Sequence, residues 1–584
     1  MTAPRDLVII AEKPNLAATI TRMLGGKWNR RRNLGHARYG RHRFAITSVA
    51  GHVVEWWPKN DPGFEHPEYV PDLKDFDLVP IGNRRRFLRN VERVVDRYAR
   101  GRADAVVVAT DNDPEGELIG WETLLWLKKR GKIDDPEKAR RMRFSAYTRR
   151  DIIKALKEAL KGERIDPSLA YSALARRVAD WMYGIPLTRK LSPSRKNVVS
   201  VGRVQTPTLK LIVDREKERR EAAKKRRTYY VVVAETPEGT LVSERFEDRK
   251  KAENVASRLR SLEVTEVERK EREVPPPPPF NLVDLQRDAG RFLRMSPKRT
   301  LTVAQRLYER GLITYPRTGT NRYPPSFDHD SLMNALRKAH PKAFRDHSRA
   351  GRRRKPVSGR EDDGAHPPIT PTGRRPPRLK GQEWRLYDMI VRRYLATWTV
   401  DARVADWRVE AEGCGVTFEA SGKEVLREGW YSVYGWRRPK EKRSMNVEEG
   451  DVLPVVDARV ERRKKPLPKR YTKSSLVAEM KRLGLGTEAT RADVVEKLIS
   501  RGYVKPSKSG LVPTKKGEKL VELMENKAPE LASVELTRRI EKIMDEIAEK
   551  PPDEAKRELE KVAKKTKETV KKTSGRISRF KLSG

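Results

Sequence analysis

Residues 6–11, DLVIIA, form an unbroken apolar run, the pattern of a strand covered on both faces in a parallel sheet. Helical spacing follows at once, with Leu16, Ile20, Met23 and Leu24 on one face. A second run, ADAVVVAT at 103–110, predicts another buried strand, with a helix from about Glu117. Strand–loop–helix units in this order predict a doubly wound α/β domain over roughly the first 160 residues. Residues 166–220 read as helices. YYVVVAET near 229 and DWRVEAEG near 406 predict strands that lie far apart in the chain. VPPPPPF at 274–280 is a stiff polyproline spacer and an expected hinge or domain boundary. Residues 345–380, rich in Arg, Pro and Gly, read as a surface insertion with little core. The Lys-rich C-terminal tail is expected to be helical or frayed.

Two segments echo each other. SPKRTLTVAQRLYERGLITYPRTGT offers Ser296 as N-cap, Pro297 at the first helical position, and Leu301, Ala304, Leu307 and Tyr308 along one face. Gly311 ends that helix and a strand is expected next. ATRADVVEKLISRGYVKPSKSGLVPT repeats the plan, with a Thr490-x-x-Asp493 capping box, a helix, Gly502, and a strand running into a turn. Each predicts the last helix and wing of a helix-turn-helix module.

Charge narrows the function. Lys and Arg number 128 against 82 Asp and Glu, a formal +46. A balance that lopsided implies a polyanionic partner, and nucleic acid is the usual one. Cys414 is the only cysteine, which excludes disulfides and Cys-rich zinc sites. No apolar stretch approaches the length of about 18 residues that a membrane helix needs, and MTAPRDLVIIAEKP reads as a strand rather than a secretion signal. A soluble, cytoplasmic, nucleoid-associated protein is expected.

Candidate chemistry gathers after the second strand, in ATDNDPEGELIGWE. Asp111, Asp113 and Glu115 alternate along the loop, and carboxylates so spaced at a strand's C-terminal edge can converge on a divalent cation. An EF-hand loop would also match Asp111, Asp113, Gly116 and Glu122, but it needs a helix where VVVAT stands, and Pro114 interrupts it. Glu12 and Lys13 end the other parallel strand, at the sheet edge where open α/β folds bind ligands.

A strand ending in Glu and a second ending in Asp-x-Asp-x-Glu-Gly resemble the Toprim domain. Further stretches resemble type IA DNA topoisomerases, in chain order: SVAGHVVEW, ARRVADWMYG, VSVGRVQTPTLKLIVDRE, PPPPPFNLVDLQRDA, GLITYPRTGT, GAHPPITPT and SLVAEMKRLGLGTEATRADVVEKLISRGYV. The wording is more similar to archaeal topoisomerases and the topoisomerase III branch than to bacterial topoisomerase I. The resemblance covers most of residues 1–515. It implies a multidomain α/β plus α+β fold: a Rossmann-like Toprim domain, winged-helix-like modules and a β-rich arch, forming a toroid. The implied domains are 1–160 (Toprim), 161–217 with 462–584 (DNA groove, winged-helix-like module and basic tail), 218–280 with 405–461 (arch), and 281–404 (the module carrying Tyr315).

The resemblance makes Tyr315 the nucleophile, joined to the 5′ phosphate of the cut strand. A phenol of pKa near 10 is mostly protonated at neutral pH and must lose its proton as it attacks. Arg317 would bind the same phosphate, Lys13 would serve the leaving 3′ oxygen, and His366 would contact the neighbouring phosphate. Asp111 and Asp113 would hold Mg²⁺ with Glu115 nearby; Glu12 is open between metal ligand and proton carrier. Arg176, Arg177, Asp180, Ser200, Val201, Gly202, Arg203, Val204 and Gln205 match stretches lining the single-strand groove, and His52 joins them from SVAGHVVEW. No G-x-x-x-x-G-K-S/T loop, zinc ribbon or helicase-like half is present, so neither ATP nor zinc is expected. The expected partner is DNA, single-stranded or negatively supercoiled, with RNA open and a monomer expected. Two rival readings stand beside this one: a Toprim-type metal-dependent nuclease that needs no Tyr315, and a non-catalytic nucleic-acid clamp.

Overall fold

The computed structural model describes residues 6–577. The Asp6–Ala11 strand lies inside a six-stranded sheet, in parallel with His42–Ser48 on one side and Val106–Ala109 on the other. Arg140–Arg141 continues the parallel run beyond Val106–Ala109. Val8, Ile9 and all of Val106–Ala109 are buried, as strands covered on both faces must be. The other border departs from the doubly wound expectation: Lys27–Asn29 and Leu34–Tyr39 are antiparallel. The Pro14–Met23 helix buries Leu16 and Ile20, as its spacing requires.

The helix after the second strand runs Pro114–Lys129, and so starts before the expected Glu117. Its N-cap is Asp113, whose carboxylate accepts the Gly116 N–H at 2.6 Å, and Pro114 stands where no N–H is needed. Gly116 is forced by contact, because a Cβ there would meet the Asp111 carbonyl oxygen at 2.1 Å. The acid loop is therefore short, stretched between a buried strand and a capped helix.

The strands Thr228–Thr236 and Ala402–Gly413 share one seven-stranded sheet, with Gly239–Ser243 and Val416–Arg427 between them. Its borders, Val452–Pro454 and Asp457–Lys464, are joined through Val455 and Val456. Val455 donates to the Arg260 carbonyl at 2.9 Å and Val456 to the Glu235 carbonyl at 2.8 Å, so the borders meet at one corner and the sheet curls into an arch.

The proline spacer leaving this arch is clamped rather than free. Trp430 Nε1 donates to the Val274 carbonyl at 2.8 Å, and Arg393 Nε to the Pro278 carbonyl at 2.8 Å. Residues 345–380 also depart from expectation. Ile369 and Thr370 are buried, Ile369 bridges Phe280, and Glu361 accepts from Asn281 at 2.5 Å, Asn321 at 3.0 Å and Lys481 at 2.8 Å. Apolar and carboxylate side chains make this stretch a strap across the junction instead of a loose insertion. Of the Lys-rich last thirty residues, those to Arg576 belong to a helix, Pro552–Arg576, that buries Leu559, Ala563 and Val570 and packs on the long helix Pro167–Leu191; 578–584 lie outside the described residues.

The two echoing segments differ. Ser296 caps the Pro297–Glu309 helix, accepting the Arg299 N–H at 3.2 Å. After Gly311 the expected strand is reduced to a single bridge, Ile313 with Pro371. In the second segment the Arg491–Ser500 helix leads into a true hairpin, Val504–Ser507 with Gly510–Pro513. Its expected capping box does not form: the Thr490 hydroxyl accepts the Thr487 N–H at 3.0 Å instead of a helix N–H. Among the described residues no helix is long and apolar enough to cross a membrane.

Candidate active site and nucleic-acid groove

The two neighbouring parallel strands are tied together at their C-terminal ends. Glu12 accepts the Asp111 backbone N–H at 3.0 Å, and its other oxygen lies 3.0 Å from Lys13 Nζ. Lys13 also reaches Asp111 at 3.9 Å and Glu309 at 4.0 Å. Burial opposes the Glu12 charge, yet Lys13 holds its carboxyl below the ordinary range. Burial opposes the Lys13 charge too, and Glu12 with Asp111 holds it up. Asp111 is 1% exposed; burial, then the Glu12 charge, pushes its carboxyl up to about 8. Its Oδ1 accepts from the hydroxyls of Tyr147 at 3.2 Å and Tyr308 at 3.5 Å, while its Oδ2 is buried with no hydrogen-bond partner.

Arg141 holds the loop from beneath. It is fully buried and donates to the carbonyls of Thr110 at 3.0 Å and Asp111 at 2.9 Å, and to the Glu117 carboxylate at 2.8 Å. Glu117 in turn accepts the Asp166 N–H at 2.7 Å, fixing the start of the next domain's long helix. The sequence reading missed both residues. Its one available signal was a charged pair flanking an otherwise apolar sheet.

Tyr315 is carried onto this loop from the other side of the seam. Its N–H donates to the Ser145 carbonyl at 2.8 Å, and its hydroxyl donates to the Asp113 carboxylate. Its ring stacks on His366 with centroids 4.7 Å apart and meets Tyr308 edge-on at 5.3 Å. Burial first, then the Asp113 and Asp111 charges, pushes the phenol well above its ordinary range. Arg317 is half-buried with Nε unpartnered; burial opposes its charge, and Tyr315, Asp113 and Asp111 hold it. His366 is positioned by Asp363, which accepts its backbone N–H at 2.9 Å and lies 3.4 Å from its Nδ1, leaving a buried Nε2 with no partner. Asp363 was another residue the sequence reading did not name.

The acids expected around one ion are not all gathered. Asp113 is engaged by Tyr315, and Glu115 turns away to His52 Nε2 at 2.5 Å. Among the described residues no group of three His, Cys, Asp or Glu stands ready to hold a metal ion. Asp111 Oδ2, beside Glu12 and Asp113, accepts no hydrogen bond and has only the Lys13 ammonium at 3.9 Å, which leaves an oxygen that a hard cation could take.

On the far side of Glu115, His52 Nδ1 meets Glu122 at 2.7 Å and Arg177 at 3.0 Å. Burial opposes its charge, but Glu115 and Glu122 hold the imidazole up to about 9. Arg177 opens onto a groove of about 490 Å³ that also brings together Arg176, Asp180, Ser200, Val201, Gly202, Arg203, Val204 and Gln205. Lys497 and Arg501 of the second module face them. Not all of these point outward. Arg203 is buried and bound to Asp180 at 2.9 Å and Glu541 at 2.7 Å, and Gln205 donates to Ser200 at 2.9 Å, so both frame the groove wall.

An acid loop of this kind, closed by a tyrosine from a second domain and flanked by a basic groove, belongs to the enzymes that break and rejoin nucleic-acid strands. Residues 7–147 match the Toprim domain family, and residues 164–557 match the DNA topoisomerase family. The chain belongs to the DNA topoisomerase family, in its type IA branch. It is 34% identical to DNA topoisomerase 1 of Pyrococcus horikoshii, over 93% of this chain and 80% of that one. It is 30% identical to DNA topoisomerase 3 of Shouchella clausii, over 92% of this chain and 77% of that one. Its fold is similar to full-length topoisomerase I from Thermotoga maritima, with a TM-score of 0.74 and 26% identity, covering 96% and 90% of the two chains. The curled sheet and this match fit the toroid expected from the sequence.

Proposed function

We propose that Tyr315 is the nucleophile of an ATP-independent strand-passage reaction on DNA. The observation that carries this is the Tyr315 hydroxyl seated on Asp113, with two buried nitrogens beside it, the Arg317 Nε donor and His366 Nε2, that have no hydrogen-bond partner within the protein. Unpaired buried donors are costly, and a phosphate satisfies them. The phenol oxygen attacks phosphorus and passes its proton to the Asp113 carboxylate that accepts its hydrogen bond. The bond to the 3′ oxygen breaks, and that oxygen leaves as a hydroxyl, protonated from the Lys13 ammonium. The 5′-phosphotyrosyl ester keeps the bond energy, and the reverse attack reseals the strand. Arg317 binds the scissile phosphate and His366 the one beside it. Preorganised donors of this type typically contribute about 10²–10³ in rate.

Glu12, Asp111 and Asp113 would hold Mg²⁺, with Glu115 at the margin. When bound, the ion supplies positive charge for the free 3′ oxygen during resealing. The groove from Arg176 to Gln205, with His52, receives single-stranded or negatively supercoiled DNA. The site is complete within one chain, which supports a monomer, and a DNA substrate supports a cytoplasmic, nucleoid-associated enzyme. The chain divides into four domains at the boundaries the resemblance implies; a shared sheet for the strands near 229 and 406 supports the twice-visited arch.

The test uses the full chain and a single-stranded oligonucleotide, denatured rapidly, with Tyr315→Phe in parallel and with or without EDTA. A protein-linked 5′ end from the wild type alone is expected, with EDTA slowing resealing more than first binding. Free nicks from both chains would show a nuclease and overturn the reading. Neither adduct nor nick would leave a clamp.

A further inference from the structure

We propose that the basic cleft along the seam between the Toprim domain and the Tyr315 module holds the part of the cut strand lying 3′ of the scissile phosphate, by its backbone phosphates. This rests on Tyr315 taking the 5′ phosphate.

The cleft encloses about 970 Å³, and an adjoining opening of about 750 Å³ shares Met23, Tyr147, Arg149 and Arg374 with it. Its charges are unevenly matched. Each acid on its wall already has a donor: Asp151 takes the Thr148 hydroxyl, Glu158 pairs with Lys161 at 2.9 Å, and Asp328 with Arg150 at 2.9 Å. Arg149, Lys154 and Arg374 are exposed, and among the described residues none of the three has a carboxylate at ion-pair distance. Three cations without anions around a strand-sized cleft call for phosphate.

Position places the cleft across the acid loop from the groove, and the groove is taken to hold the 5′ side of the strand. The inner wall of the cleft includes Asn112 and Ala365, where Asn112 Nδ2 lies 3.4 Å from the Ala365 carbonyl. These are the immediate neighbours of Asp113 and His366, the residues that seat Tyr315. The opposite flank of the acid loop leads through Glu115 and His52 to Arg177 in the groove. A strand that enters by the groove and crosses Tyr315 leaves toward the cleft. Arg149 and Lys154 stand on the Toprim side and Arg374 on the Tyr315 side, so the departing strand bridges the seam.

The test measures binding by the full chain carrying Tyr315→Phe, so that nothing is cut. Oligonucleotides share one cleavage site, mapped with the wild type, and are lengthened only 5′ or only 3′. In wild-type surroundings both extensions raise affinity. With Arg149→Gln, Lys154→Gln and Arg374→Gln together, the gain from 3′ extension disappears and the salt slope falls by about 0.7 for each phosphate no longer neutralised, while the 5′ series is unchanged. Arg501→Gln is the counterpart and weakens the 5′ series alone, which also shows that a selective loss is not misfolding. A 3′ gain that survives the triple substitution overturns the proposal, as does an equal loss in both series. If the wild type forms no 5′ adduct, the nucleophile reading itself fails and this proposal falls with it. An adduct with an intact 3′ gain removes this proposal only.

Discussion

The segments beginning at Ser296 and Thr490 share one plan and end differently. Each has a short helix, then a glycine with positive φ (+68° at Gly311, +72° at Gly502), then extended chain. After Gly502 the chain folds back on itself, and the hairpin satisfies its own backbone. After Gly311 it has no local partner. Ile313 takes Pro371 from the strap, and Tyr315 takes Ser145 from the Toprim domain. A wing that pairs with itself is a fixed part. Pro371 belongs to the same 281–404 module, so the Tyr315–Ser145 contact is the one that crosses to another domain, and it is the one released if the two domains separate for strands to pass. The same local pattern thus makes one rigid wall and one detachable gate.

The largest separation between the two should come from the matched glycines. A Cβ on Gly311 would stand 2.4 Å from the Tyr147 carbonyl oxygen across the seam, whereas one on Gly502 would meet nothing within 4 Å. Both substitutions to Ala carry the left-handed strain of about 1–2 kcal/mol. Gly311→Ala adds overpacking of about 1–3 kcal/mol and should cut adduct yield by about tenfold or more. Urea unfolding with the adduct assay checks this, and equal losses at the two glycines would falsify the contrast.

Acid should loosen the gate before the wall. His347, within the Tyr315 module, is lowered to about 4 by burial, and burial also lowers His329 and His340. A base whose folded pKa is depressed is uncharged in the fold and gains a proton on unfolding. Its stability contribution is full above pH of about 6.5 and is lost as pH falls toward 4, at about 2–3 kcal/mol for His347. Hydrogen exchange from pH 7 to 4.5 should show protection falling first in 297–350, and His347→Phe should flatten the decline. Simultaneous loss in 491–513 would contradict the idea.

The smallest expected effect concerns the helix starts. Ser296→Ala should cost about 1 kcal/mol, because Ser296 caps its helix. Thr490→Ala removes exposed turn contacts to Thr487 rather than a helix cap and should cost about half as much. Exchange rates in the first turn of each helix give the comparison.

What the sequence disclosed follows the range of each interaction. DLVIIA and VVVAT announced themselves because a doubly covered strand needs apolar residues at every position. The start at Pro114 was missed because Asp113 was read only as a ligand, although Asp-Pro is also a strong helix opening. Thr490 was misread because the same spacing fits a turn from Thr487 to Thr490. The roles of Arg141, Glu117 and Asp363 could not be read because they lie in partners brought together only by the finished fold. The strap through 345–380 looked like loop because its apolar residues are few; Ile369 and Thr370 are buried by the neighbours they meet rather than by any periodicity.

The corner at Val455 and Val456 has a mechanical consequence. The stitch covers the sheet's border only near that corner, where Val452–Pro454 pairs with Ser261–Glu263. A sheet pinned at one end resists shear near the pin and yields most at the remote end, where the long strands Ser261–Val274 and Ala402–Gly413 run toward the Tyr315 module. The molecule would flex like a pair of tongs sprung from that corner, with its jaws at the nucleophile.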